Sequence, residues 1–235
     1  MSRMSVRATY GCLLALCRVM AVLSSPVNAS GQSAHQLVEK TTNQVMGVVT
    51  AADEYVEEDP ERYYQQIEAI LDPLIDYRGF ARQVMGPYAS SKRYRSLDEA
   101  GREELREQLD RFTAVMRSSL VRTYSKGLLA FGGSRIEVVA PDEDPGAASE
   151  EPEAASRISV RQLIYADRSQ PYVVLYQMGV GKAGDWKLRN VIIESVNLGE
   201  IYRDQFLASA REEGGNLDQV IAGWTVVEVE VEAES

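Results

Sequence analysis

The sequence predicts an α+β fold: helices packed on a twisted four-stranded antiparallel sheet, enclosing an apolar pocket. Three observations carry that prediction. Apolar residues recur at helical spacing from Ala34 to Leu129, the period drops to two after Gly132-Gly133, and it returns to helical after Gly199. Helices, then strands joined by short turns, then helices again describe helices gathered on one face of a meander. A curved sheet covered in this way leaves room for a pocket between the layers.

Leu37, Thr41, Val45, Val48 and Ala52 give the first helix, Ala34 to Val56. Asp59-Pro60 supplies a cap and a first-turn proline for the second, whose apolar face is Tyr63, Ile67, Ile70, Leu71 and Leu74. Pro73 bends or ends it. A short third helix runs from Asp76 to Met85 and stops at Gly86-Pro87, and a basic loop with Lys92, Arg93 and Arg95 follows. The longest helix runs from Asp98 to about Leu129, with Leu105, Leu109, Phe112, Met116, Leu120, Tyr124 and Leu128 on one stripe. Strands are expected at Ile136 to Ala140, Ile158 to Tyr165, Tyr172 to Val180 and Trp186 to Leu198. Residues 141–155 hold six acids and no base among Pro, Ala and Gly, which reads as a mobile acidic insert. A helix from Gly199 to Glu213 and a short one capped by Asn216 close the domain, and an acidic tail, 225–235, reads as disordered.

Residues 1–29 have the layout of a secretory signal peptide: basic residues, an interrupted apolar run, and small residues at Val27-Asn28-Ala29. The run is too short to span about 30 Å of hydrocarbon. The expected mature carrier domain is 30–224. Cleavage would remove Arg3, Arg7 and Arg18 and no acid, taking the net charge from −10 to −13. Such a balance argues against nucleic acid as a partner, because phosphate contacts need clustered cations. Both cysteines, Cys12 and Cys17, leave with the leader, and one histidine, His35, remains near the new terminus. Thiolate, Ser-His-Asp and multi-histidine metal chemistry therefore lack their parts. A non-enzymatic binder or carrier, with no cofactor and no metal, is the expected class, as a monomer.

Two segments bear a resemblance. One is Asp76-Tyr77-Arg78-Gly79-Phe80-Ala81-Arg82-Gln83-Val84-Met85-Gly86-Pro87-Tyr88. The other is Trp186-Lys187-Leu188-Arg189-Asn190-Val191-Ile192-Ile193-Glu194-Ser195-Val196-Asn197-Leu198, running into Tyr202-Arg203-Asp204-Gln205-Phe206. Together they resemble the MlaC family of periplasmic phospholipid-shuttle (toluene-tolerance) proteins. The order of elements matches from about Ala34 to Trp224. Met85 stands where that family has Leu, Asn190 where it has Asp, and Ile201 where it has Asn; the acidic insert is additional. The resemblance implies a phospholipid cargo, a periplasmic location, and two partners: an outer-membrane lipoprotein complex and an inner-membrane ABC transporter complex.

A lipid carrier needs a dry cavity rather than a nucleophile. Strand parity leaves two sets open, Val173/Leu175 and Val174/Tyr176/Met178; the first, with Ile192, is taken to line the pocket beside Met116, Leu120 and Tyr124. Tyr202 and Phe206, one turn apart, join this lipid-binding set as packing anchors. Arg203, Lys92, Arg93 and Arg95 are the candidates for headgroup or partner contact. Two rival classes stay open. One is an enzyme using a tyrosine (Tyr165, Tyr172 or Tyr176) with Asp167 or Glu194. The other is a periplasmic adaptor that binds protein alone.

Overall fold

Each helix begins where the sequence supplies a side-chain acceptor for its free N–H groups. The computed structural model describes residues 32–130, 134–141, 156–166 and 169–226. The expected leader, residues 142–155 of the acidic insert, Asp167 and residues 227–235 of the tail lie outside the described residues. In α1 (Ala34–Ala52), Ser33 Oγ accepts from Gln36 N–H while the Gln36 side chain accepts from Ser33 N–H. Asp59 caps α2 (Pro60–Leu71), and Asp76 caps α3 (Tyr77–Met85) by accepting from Gly79 N–H at 2.9 Å. Gly86 ends α3 with φ 56°, leading into a 3₁₀ turn, Gly86–Ala89. Ser90 caps α4 (Ser91–Ser96). Asp98 accepts from Gly101 N–H at 2.8 Å to open α5 (Glu99–Ala130), whose 32 residues span about 48 Å. Asn197 and Asn216 cap α6 (Leu198–Glu212) and α7 (Leu217–Ala222).

The basic loop expected around Lys92, Arg93 and Arg95 is instead helix α4. Six residues with none buried carry no hydrophobic period to read.

The strands β1 (Arg135–Val138), β2 (Arg157–Tyr165), β3 (Tyr172–Val180), β4 (Trp186–Ile193) and β5 (Val196–Asn197) pair antiparallel in that order. The sheet thus has five strands, not the four expected. The strand expected over Trp186 to Leu198 folds back on itself at Glu194 (φ 48°) and Ser195 (φ 72°), pairing Ile193 with Val196 and Ile192 with Asn197. Two-residue turns with both φ values positive normally use Asn-Gly or Asp-Gly, so Glu-Ser gave no turn signal. The Glu194 carboxylate holds the bend by accepting from Val173 N–H at 2.5 Å. Ser195→Gly should relieve the left-handed conformation and raise the unfolding free energy by about 0.5–1 kcal/mol, as read from urea denaturation.

Beyond β5, the same edge of β4 is met by the α2–α3 linker. Leu188 N–H donates to Leu74 O at 2.9 Å, and Asp76 N–H donates to Leu188 O at 3.2 Å. The Asp76 carboxylate also pairs with Arg189, the extra residue of a bulge opposite Gln177 and Met178.

Among the described residues the buried side chains form three clusters. The largest joins α3, α5, α6 and α7, with the Phe112 ring 4.9 Å from Phe206 and 5.1 Å from Trp224. The second packs Ala34 and Val38 of α1 and Leu74 on Val160, Met178 and Leu188 of the sheet. The third packs the end of α1 against Tyr63 and Ile67 of α2 and Val121 of α5, where Tyr63 Oη donates to Ser125 O at 2.8 Å. Burial, the largest influence on that phenol, pushes its pKa up to about 12.

Candidate functional site

Register decides which sheet face meets the helices. Four rows of partners lie on one face: Ile136–Ile164–Tyr172, Val138–Gln162–Val174–Ile193, Val160–Tyr176–Val191 and Ile158–Met178–Leu188. Val160, Met178 and Leu188 are buried against α1, and Val191 and Ile193 pack against the α3/α5/α6/α7 cluster. The rows Glu137–Leu163–Val173 and Arg161–Leu175–Ile192–Asn197 lie on the opposite face.

A domain of this size usually closes its buried side chains into one contiguous core. Here there are three clusters, with half-buried apolar side chains packed at the margin of each. Val138, Tyr176 and Val191 adjoin the sheet–α1 cluster. Leu120, Tyr124, Val191 and Ile193 adjoin the α3/α5/α6/α7 cluster, and Leu128 adjoins the third. Val191 touches both of the first two. These half-buried apolar side chains at the cluster margins, with Val191 common to two of them, are the apolar rim taken as the candidate site.

Its polar groups are few and paired. Tyr176 Oη donates to Gln162 Oε1 at 2.8 Å, and Gln162 Nε2 donates to Thr42 Oγ1 at 2.6 Å, linking β3 through β2 to α1. Burial alone pushes the Tyr176 phenol well above its ordinary value, as expected of a hydroxyl in apolar surroundings. Tyr124 and Tyr202 share a hydrogen bond of 2.5 Å between α5 and α6, and burial, reinforced by Tyr124, pushes the Tyr202 phenol up. Burial thus keeps the Tyr176 and Tyr202 hydroxyls neutral at physiological pH.

The family model described as MlaC protein matches residues 39–226. The chain belongs to the MlaC family. It is 29% identical to toluene tolerance protein ttg2D of Pseudomonas putida over 199 residues, covering 84% of this chain and 82% of that one. Among solved structures it resembles a phospholipid-binding protein from Ralstonia solanacearum in complex with a phospholipid. That similarity has a TM-score of 0.61 at 18% identity and covers 81% of this chain and 97% of the other.

The two MlaC-like segments meet in space. Asp76 of the first is paired with Arg189 of the second. The buried Asn190 accepts from Gly199 N–H at 3.0 Å and donates to Gln177 Oε1 and Asn197 Oδ1 at 2.9 and 2.8 Å. A methyl group on Gly199 would stand 2.7 Å from Asn190 Oδ1, so a larger residue where α6 leaves the sheet would have to displace this hydrogen-bonded amide.

The MlaC fold separates the residues expected to work together. Met116, Tyr202 and Phe206 are fully buried core, while Leu120 and Tyr124 are half-buried at its margin. Val173, Leu175 and Ile192 lie on the face away from the helices, so the expectation that this set faces them is corrected: Val174, Tyr176 and Met178 do. Arg203 lies exposed against Gly86, and Lys92, Arg93 and Arg95 are exposed on α4. Of the groups offered for an enzymatic reading, Tyr165, Tyr172 and Glu194 lie at one end of the sheet and Tyr176 lies further along β3. Glu194 is engaged with Val173 N–H and Tyr176 with Gln162, while Tyr165 lies under Arg135 with its hydroxyl 3.4 Å from Glu137; Tyr172 is half-buried.

The sequence alone names Tyr176 only in the second strand set and in the enzymatic alternative, and does not single out Val191, Ile193 or Val138 as site residues. A signal existed in β2, where Ser159 and Arg161 alternate with Ile158, Val160 and Ile164 and so mark the outer face. Carrying that parity to β3 needs the register.

Proposed function

We propose that this protein is a periplasmic phospholipid carrier whose apolar rim, between the sheet and the helices, opens around two acyl chains. The observation that carries this reading is the divided core, with half-buried Tyr176, Val191, Ile193 and Tyr124 at the margins of its parts. Membership of the MlaC family, the toluene-tolerance relative and the phospholipid held by the Ralstonia protein support it. About 0.8 kcal/mol per methylene makes roughly 20 kcal/mol of shelter for a lipid with about thirty methylenes. Burial of that size dominates any single polar contact, and a rim of neutral, paired hydroxyls meets it. In this reading the cargo is the lipid, no cofactor or catalysis is needed, and Lys92, Arg93, Arg95 and Arg203 lie outside the acyl site. The carrier works as a monomer between an outer-membrane lipoprotein complex and an inner-membrane ABC transporter complex, and its leader is removed on export.

Native mass spectrometry of protein purified from the periplasm tests the reading. The expected result is a protein mass increased by one phospholipid, which solvent extraction then releases. A bare mass, with no lipid taken up from vesicles, would favour a protein-only adaptor and reject the carrier.

A further inference from the structure

Tyr77 to Leu97 holds five basic residues and no acidic one, in a chain of net charge −10. Arg78 is paired with Asp110. Arg82, Lys92, Arg93 and Arg95 are exposed. Three of these four ring the short helix α4, which buries none of its residues. Arg203 of α6 brings a further exposed cation to the same surface by lying over Gly86, its Nε 3.2 Å from where a Cβ would stand. Half-buried tyrosines are set among the cations. The Arg93 guanidinium is 5.8 Å from the Tyr88 ring centroid, and that of Arg102 is 5.6 Å from the Tyr94 centroid. Of the acids at the margin, Asp98 caps α5 and Glu103 pairs with Arg106, while Glu99 and Asp204 are exposed.

We propose that this surface docks on anionic lipid headgroups at a membrane face. Cations spread around a short helix that buries none of its residues suit a plane of negative charge better than one small ligand. Tyrosines with one edge exposed suit the boundary between headgroups and water. Acidic residues predominate over the rest of the chain, so an anionic bilayer repels the remainder and turns the patch toward itself. The proposal stands independently of the acyl-chain site, since a protein with no cargo would bind the same surface.

Co-sedimentation with vesicles tests it. The purified protein should pellet with phosphatidylcholine vesicles containing phosphatidylglycerol, remain in solution with phosphatidylcholine alone, and detach as salt rises. Reversing one patch charge, in Lys92→Glu or Arg95→Glu, should weaken binding about 25-fold, from about fivefold per unit charge. Arg211→Glu makes the same change in net charge near the far end of α6 and should have a much smaller effect. Equal binding to neutral vesicles, no binding to anionic ones, or an Arg211→Glu loss equal to that of Lys92→Glu would each overturn the proposal. Retention on immobilised polyglutamate without vesicle binding would overturn it in favour of an acidic protein partner. Lipid load, read by native mass spectrometry on the same samples, reports separately on the acyl-chain site.

Discussion

Ile193→Asp should fold and lose its phospholipid, while Leu175→Asp should fold and keep it. The two side chains differ in which way the sheet turns them. Ile193 pairs with Val174 on the helix-facing rows and packs against the α3/α5/α6/α7 cluster, whereas Leu175 pairs with Ile192 on the opposite face. A carboxylate introduced beside acyl chains must be neutralised or dehydrated, which costs several kcal/mol. A cost of about 3 kcal/mol would weaken lipid binding about 150-fold. Leu175 is half-buried and borders Arg161 across the strand pair, so a charge there keeps access to water and a cationic neighbour. Circular dichroism establishes folding, and native mass spectrometry reads the lipid load. A folded Ile193→Asp protein with a full load would show that the chains lie elsewhere.

Phe206→Ala should be the most damaging single truncation for stability. The ring is fully buried, in contact with Phe112 and Trp224 and edge-on to Tyr88 at 6.1 Å. Such truncations cost about 3–5 kcal/mol, and each kcal/mol lowers the melting temperature of a domain this size by about 2–4 °C. The melting temperature should therefore fall by roughly 6–20 °C in calorimetry. Arg203→Ala, by contrast, removes an exposed side chain resting on Gly86, and its effect should stay within about 0.5 kcal/mol. A Phe206→Ala protein that melts within a degree of the parent would mean that this cluster is not a structural centre.

Local chemistry made most of the helices legible. Asp59-Pro60, Asp76, Asp98 and Asn216 announce starts, and each of these side chains accepts a hydrogen bond from the first turn of its helix; Asn197, expected within a strand, caps α6 as well. The period change after Gly133 placed β2 and β3 within a residue of their ends. What failed depended on contacts distant in sequence. Glu194-Ser195 makes a turn because Val173 N–H holds the carboxylate, and no feature of the dipeptide reports that partner. Assigning Leu175 to the inner face failed for a related reason: alternation gives two faces, and the choice comes from pairing Val160 with Tyr176 under α1. The stripe on α5 was right through Met116. Beyond it the burial moves to Val121 and Ser125, because α2 packs there, and Leu120 and Tyr124 are left half-buried at the rim.

The strand-like contact of Ile75 with Leu188 bears on how the protein survives at high concentration. A sheet with bare edges is a template on which other chains stack, and proteins avoid this by covering or charging those edges. The Leu74–Asp76 linker occupies N–H and carbonyl groups of Leu188 that β5 is too short to reach, and the Asp76–Arg189 ion pair fastens it there. At the opposite edge β1 is four residues long, and Arg135 and Glu137 on it form an ion pair. Both margins are thus poor templates for cross-β growth. This suits the proposed carrier, because each opening of its interior around a hydrocarbon guest would expose apolar surface and invite self-association.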